Sequence, residues 1–221
     1  MKIFLIVFIL ISSSSLAQSV IKKEDHKKLE SKKAVIYQEK VKGNVWPRVR
    51  VNILIDSSPL EALAIFLALD HQKNYLPNLI KSTPVKHISA TEVHTAYELE
   101  LPWPLPNSKY TNGSDFKKIS ENKYMARWYL VESDSAYSVD GNVYFTRYNN
   151  GMTLMQYQTL ISPKSALSGI VRGFMIKDTT DSIIAIRDEV ERVRKEDQSI
   201  LKKYISYIQR SLSGEKVYEV R

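Results

Sequence analysis

YELELPWPLPNSKYTNGSDF, residues 97–116, is the stretch that decides how this chain reads. Tyr97, Leu99 and Leu101 alternate with Glu98 and Glu100, the period of a half-buried strand. Pro102, Pro104 and Pro106 then remove backbone donors, so the strand stops there or lies at a sheet edge. Past this corner the chain turns back toward a second extended segment. Asn112-Gly113 reads as a tight turn within it, because both residue types tolerate positive φ. Residues 109–119 are therefore expected to be less regular than the strand before the corner. Asn112-Gly113-Ser114 also spells a glycosylation acceptor, which matters only in a eukaryotic secretory pathway.

Upstream of the corner, residues 34–40 (AVIYQEK) predict a short first strand. Val49, Val51, Ile53 and Ile55 predict a second, ending at Asp56-Ser57-Ser58. Ser57 or Ser58 is placed to cap a helix over 59–69 that has Pro59 in its first turn and Glu61 near its positive end. Leu60, Leu63, Ala64 and Leu67 form one apolar face, and Ala62, Ile65 and Phe66 make the other side apolar too. Both sides should therefore be covered. A second short helix from Asp70-His71 ends at Pro77, and strands near 85–89 and 92–101 lead into the corner.

Downstream, residues 123–132, 142–148 and 152–161 read as three more strands. Asn149-Asn150-Gly151 is a hairpin turn between the last two, and Asp140-Gly141 is a similar turn. A long helix begins around 178–181. Its buried stripe is Ile183, Ile186, Val190 and Val193, with charged residues opposite. The polar run 194–199 breaks the stripe, which resumes at Leu201, Tyr204, Ile205, Ile208 and Leu212.

The ends carry different information. Lys2, the apolar run 3–11 and Ser15-Leu16-Ala17 predict an export signal cleaved after Ala17, and the run is shorter than the roughly 20 residues of a spanning helix. An exported, periplasmic or secreted, protein is expected. The absence of cysteine excludes a lipidated-cysteine anchor, thiol catalysis and disulfides. Of the formal charge of +8, Lys2 supplies one and the flanks the rest: 20–42 carries +4 and 164–221 carries +3, whereas 43–163 is neutral. Such flanks suit an anionic membrane surface or simple solvation, and no aromatic-basic stripe points to nucleic acid. The organisation expected is a signal peptide at 1–17, a basic, solvated leader at 18–33, one domain at 34–195 and a helical extension at 196–221.

Several segments together resemble the START-like, or polyketide-cyclase-like (SRPBCC), superfamily. They are IYQEKVKGN near Tyr37, residues 51–79 with Asp70, Tyr75 and Pro77, the corner PWPLPNS, residues 153–157, and the helical stretch 169–191. The likeness covers roughly 34–193. It implies an α+β helix-grip fold, a curved antiparallel β-sheet packed around a long C-terminal helix, enclosing an apolar cavity for a hydrophobic, lipid-like molecule. Ser108-Lys109-Tyr110 departs from the Arg-Asp pair that often follows the corner in such sequences, so no polar cavity residue carries over there.

Alternation makes Tyr97, Leu99, Val143, Phe145, Met155 and Tyr157 the inward-facing set. Arg127 is a candidate to orient an acidic or polar ligand group, or else to face solvent. No zinc-type histidine spacing, nucleophile elbow or phosphate loop occurs, so neither metal nor cofactor is implied. Three readings follow: a non-catalytic container, a cyclase- or hydrolase-like enzyme with a perturbed ionisable group in the same cavity, or an interaction module using the basic flanks and C-terminal helix.

Overall fold

The computed structural model describes residues 21–164 and 168–221. The predicted export signal at 1–17 lies outside the described residues. Eight strands form one antiparallel sheet: β1 (Val35–Glu39), β2 (Arg48–Ile55), β3 (Leu79–His87), β4 (Glu92–Leu99), β5 (Ser108–Ser120), β6 (Lys123–Ser133), β7 (Ala136–Arg147) and β8 (Thr153–Pro163). Their spatial order is β1-β2-β8-β7-β6-β5-β4-β3. The sheet curves around the long helix α3 (Ser168–Lys195), with α2 (Pro59–Phe66) inside the curve and α4 (Gln198–Leu212) behind it. This is the helix-grip α+β architecture.

α2 forms where its start signals concentrate. The Ser58 hydroxyl accepts from the Glu61 amide at 3.3 Å, and the Glu61 carboxylate accepts from the Ser58 amide at 2.6 Å, with Pro59 in the first turn. Its all-round apolar character is explained by contacts with β6, β7 and β8 on one side and with α3 and α4 on the other. The stripe Ile183, Ile186, Val190 and Val193 of α3 is buried, as its periodicity predicts.

The segment past 195 is integrated into the domain. Leu201, Tyr204 and Ile208 of α4 join the main core, and Tyr218 beyond it donates to the Leu67 carbonyl. The leader also contributes. α1 (His26–Glu30) buries Leu29 against Val35, Leu54 and Leu154 on the outer face of the sheet, while its lysines remain outside.

Two predicted turns are corrected. Asn112-Gly113 lies inside β5, just past a register shift between Thr111 and Asn112, and Asp140-Gly141 lies inside β7. These glycines provide room for rings: an added Cβ would lie 2.3 Å from Tyr129 at position 113 and 2.2 Å from Trp128 at position 141. Each ring of β6 therefore lies flat across a glycine of the neighbouring strand, one on each face of the sheet. The stretch expected to be less regular, 109–119, is a single strand whose pairing with β6 shifts register between Thr111 and Asn112 and between Lys118 and Ser120. Asn150 (φ 58°) and Gly151 (φ 80°) do supply the left-handed turn between β7 and β8.

Candidate functional site: an apolar cavity

Strand alternation places one residue in two on the concave face, and this face has two different fates. Toward one end, Ile53, Val143, Phe145 and Met155 pack without exposure against α2. Toward the other end only the first half of α3 covers the sheet, leaving a cavity of about 610 Å³. The strand ends Leu99, Ser108, Ser133, Ala136 and Pro163 stand around its mouth, together with Leu105 and Pro106 of the proline corner and Trp46 of the β1–β2 loop. Cavities of this size and mainly apolar lining are typical of small-molecule sites.

The walls are aromatic. Tyr97 stacks on Tyr110 with ring centres 5.2 Å apart, and Trp128 stacks on Tyr157 at 4.9 Å, its other side held by Gly141. Phe66 forms the partition: its ring lines the cavity while touching Trp128 at 5.8 Å and Phe145, in the solid half, at 5.6 Å. The Tyr97 hydroxyl donates to Gln72 at 3.0 Å, and Gln72 donates to the Phe66 carbonyl at 2.8 Å. That polar link ties β4 to the end of α2.

A small polar group faces this apolar space. Asp178 of α3 lines the cavity and is 8 % exposed. One carboxyl oxygen accepts from the Asn78 amide at 2.7 Å; Asn78 adopts a left-handed backbone conformation, which asparagine tolerates well. The other oxygen takes no hydrogen bond or ion pair among the described residues. Burial raises the Asp178 pKa above the ordinary carboxylate value, and the Asn78 hydrogen bond only partly opposes it. Burial also raises Tyr110 and Tyr157, and the nearby Asp178 charge adds to both shifts. The Tyr110 hydroxyl makes no hydrogen bond among the described residues, whereas Tyr157 interacts with the Thr159 side chain, which partly opposes its rise. The Asn112 carbonyl oxygen is buried without a donor.

The sequence-predicted candidates divide three ways. Tyr97, Leu99 and Tyr157 line the cavity. Val143, Phe145 and Met155 point inward as alternation requires, but belong to the solid half and do not line the cavity. Arg127 is corrected: it is exposed on the convex face and pairs with Asp115 at 3.0 Å. Strand parity is the reason, because its neighbours Ala126 and Trp128 occupy the concave face. The Asn112 side chain faces the cavity, which removes it as a glycosylation acceptor on the folded protein.

Asp178, Tyr110, Trp128 and Trp46 were missed as cavity residues. For Asp178 the signal existed. Val171, Met175, Asp178, Ser182 and Ile186 follow helical spacing, and this becomes visible once the helix is begun ten residues earlier than the capping-type residues suggest.

A second ionic cluster lies away from the cavity. Burial pushes Glu189 up, but hydrogen bonds from Arg192 (2.7 and 2.8 Å) and His71 (2.9 Å) outweigh it and hold its pKa below the ordinary range. It clamps α3 to the turn after α2. Among the described residues, no group of three or more His, Asp or Glu side chains converges as a metal site would require.

No protein-family model matches the sequence, and no curated protein matches it significantly. Solved structures do. A STAR-related lipid transfer protein fragment from Xanthomonas axonopodis superposes with a TM-score of 0.64 at 14% identity, covering 72% of this chain and 93% of that one. Human StAR-related lipid transfer protein 5 gives 0.61 at 9%, covering 76% and 93%. An aromatase/cyclase from Streptomyces gives 0.55 at 8%, covering 66% and 94%. At such identities the likeness establishes the fold, which is START-like.

Proposed function

We propose that this protein is an exported, non-catalytic container for a hydrophobic, lipid-like molecule. The observation that carries the reading is the cavity of about 610 Å³ with aromatic and aliphatic walls. Burying apolar ligand surface there yields about 25 cal/mol per Å², and no protein group has to be unpaired to admit it. Structural neighbours named for lipid transfer add support. The test is to strip the purified protein of lipid, incubate it with a total lipid extract, and examine it by native mass spectrometry. A reproducible one-to-one adduct of an apolar molecule is expected, and its absence would end the proposal.

Exchange with an anionic membrane is part of the same proposal. Trp103, 92 % exposed at the tip of the proline corner, and Val45, 63 % exposed in the β1–β2 loop, stand at the mouth end of the sheet. Lys40 and Lys42 lie in the same β1–β2 loop. This apolar rim with positive charge beside it favours contact with acidic lipid headgroups. Flotation with phosphatidylserine-containing vesicles should recover the wild type and lose Trp103→Ala.

The enzyme reading has one observation on its side: Asp178, a buried carboxyl with a raised pKa, lines the same cavity as Tyr110 and Tyr157 and its charge acts on both. It predicts that a bound guest emerges chemically altered. Mass analysis of the guest before and after incubation separates it from the container.

A further inference from the structure

Within the container reading, on which this rests, the cavity's polar atoms restrict which head a guest can carry. The free oxygen of Asp178 and the carbonyl oxygen of Asn112 are both acceptors, both belong to residues lining the cavity, and neither has a donor among the described residues. The hydroxyls of Tyr110 and Tyr157 can give or take a hydrogen bond. Lys164 is the one cation among the described lining residues, and it is held at the rim by donation to the Ser133 carbonyl at 2.7 Å. The deeper wall therefore offers acceptors without a matching cation. A buried acceptor without a donor is costly, and a guest that supplies the donor removes that cost. A guest bearing a carboxylate would instead place like charge beside Asp178 in a poorly solvated space.

We propose that the cavity selects amphiphiles whose polar end donates hydrogen bonds, an alcohol or an amine, and rejects those ending in a carboxylate. Asp178 receives the donor, with Asn112, Tyr110 and Tyr157 as its polar neighbours in the cavity wall. The stacked pairs Tyr97–Tyr110 and Trp128–Tyr157 present ring faces that tolerate a hydroxyl or an ammonium equally.

The experiment uses the full chain, stripped of lipid and loaded with the neutral fluorophore N-phenyl-1-naphthylamine. Dodecanol, dodecylamine and dodecanoate, which share one chain length, compete for it at neutral pH. Dodecanol or dodecylamine should displace the probe at about tenfold lower concentration than dodecanoate, the scale of one charge-assisted hydrogen bond. Whichever of the two is tighter names the head.

Asp178→Asn should bring dodecanoate to within about threefold of dodecanol and weaken dodecylamine by about tenfold, each competitor being read against the probe affinity measured for that variant. Asn112→Leu, which leaves the carboxyl in place, should weaken dodecanol severalfold and leave dodecanoate unaltered. Dodecanoate binding as tightly as dodecanol to the wild type would overturn the proposal, as would an unchanged ranking in a folded Asp178→Asn. Failure of the probe and all three competitors to bind would instead overturn the container reading itself.

Discussion

Phe145 and Tyr157 point to the same side of neighbouring strands, yet Phe145 is sealed in a solid core and Tyr157 looks into open space. The difference lies in what covers them. Over Phe145 sits α2, a short helix with small side chains at Ala62 and Ala64 that approaches the sheet closely and is backed by α4. Over Tyr157 there is only the first half of α3, whose inward residues include Asp178, Thr179 and Ser182. Asp178, amid Val171, Met175 and Ile186 on that face, cannot sink into an aromatic wall without stranding its free acceptor, so the gap stays open. Which face a side chain takes is set by its own strand, whereas filling or emptiness is set by the helix opposite.

The most damaging way to break this contrast is to remove the backing of the solid half. Truncation after Glu196 deletes α4 with the buried Leu201, Tyr204 and Ile208, each contributing about 1.5–3 kcal/mol. Their sum rivals the whole stability of a domain. The truncated chain is expected to lose its cooperative thermal transition by circular dichroism, and a native-like melt would show that α2 does not need α4.

Phe145→Ala should cost about 3–5 kcal/mol in urea unfolding, whereas Tyr110→Phe should cost less than about 1 kcal/mol because its hydroxyl has no partner among the described residues. Equal costs would erase the distinction between the halves.

Gly141→Ala sharpens the comparison from inside the cavity. The new methyl meets Trp128 at 2.2 Å, so the indole must leave its stack on Tyr157. A loss of about 1–3 kcal/mol is expected, together with a change in near-ultraviolet circular dichroism. An unchanged spectrum would mean that the wall does not depend on the glycine.

The smallest effect concerns pH. Burial raises Asp178 above its ordinary value of 3.8, so the folded protein holds this proton more tightly than the unfolded chain does. The resulting stability is fully present below pH 3.8 and is lost as pH rises through the folded value. Ligand-free Asp178→Asn should therefore match the wild type in acid and melt higher at neutral pH. A constant offset at every pH would refute this.

Much of the fold was legible in the sequence. The proline corner, the capping signals before Pro59 and the stripe from Ile183 to Val193 act through local backbone chemistry and periodicity, which a sequence displays directly. Gly113 and Gly141 misled because glycine serves two ends, permitting positive φ and making room for a neighbour; only the pairing partner across the ladder distinguishes them. Arg127 could have been settled by parity with Ala126 and Trp128. The placement of Val143 in a packed region and of Tyr157 beside a hollow could not, since it depends on how far α2 extends across the sheet. Asp178 stayed hidden because Asp178, Thr179, Thr180 and Asp181 resemble a helix start, although the helix is already well under way there.

Phe66 ends α2 and forms the floor of the hollow, in contact with both Trp128 and Phe145. A tail that reaches this ring can go no further unless the ring swings into space already filled by Phe145. The permitted length of a guest is thus metered at position 66, on a different element from the carboxyl that reads its head. Evolution or design could retune one without disturbing the other.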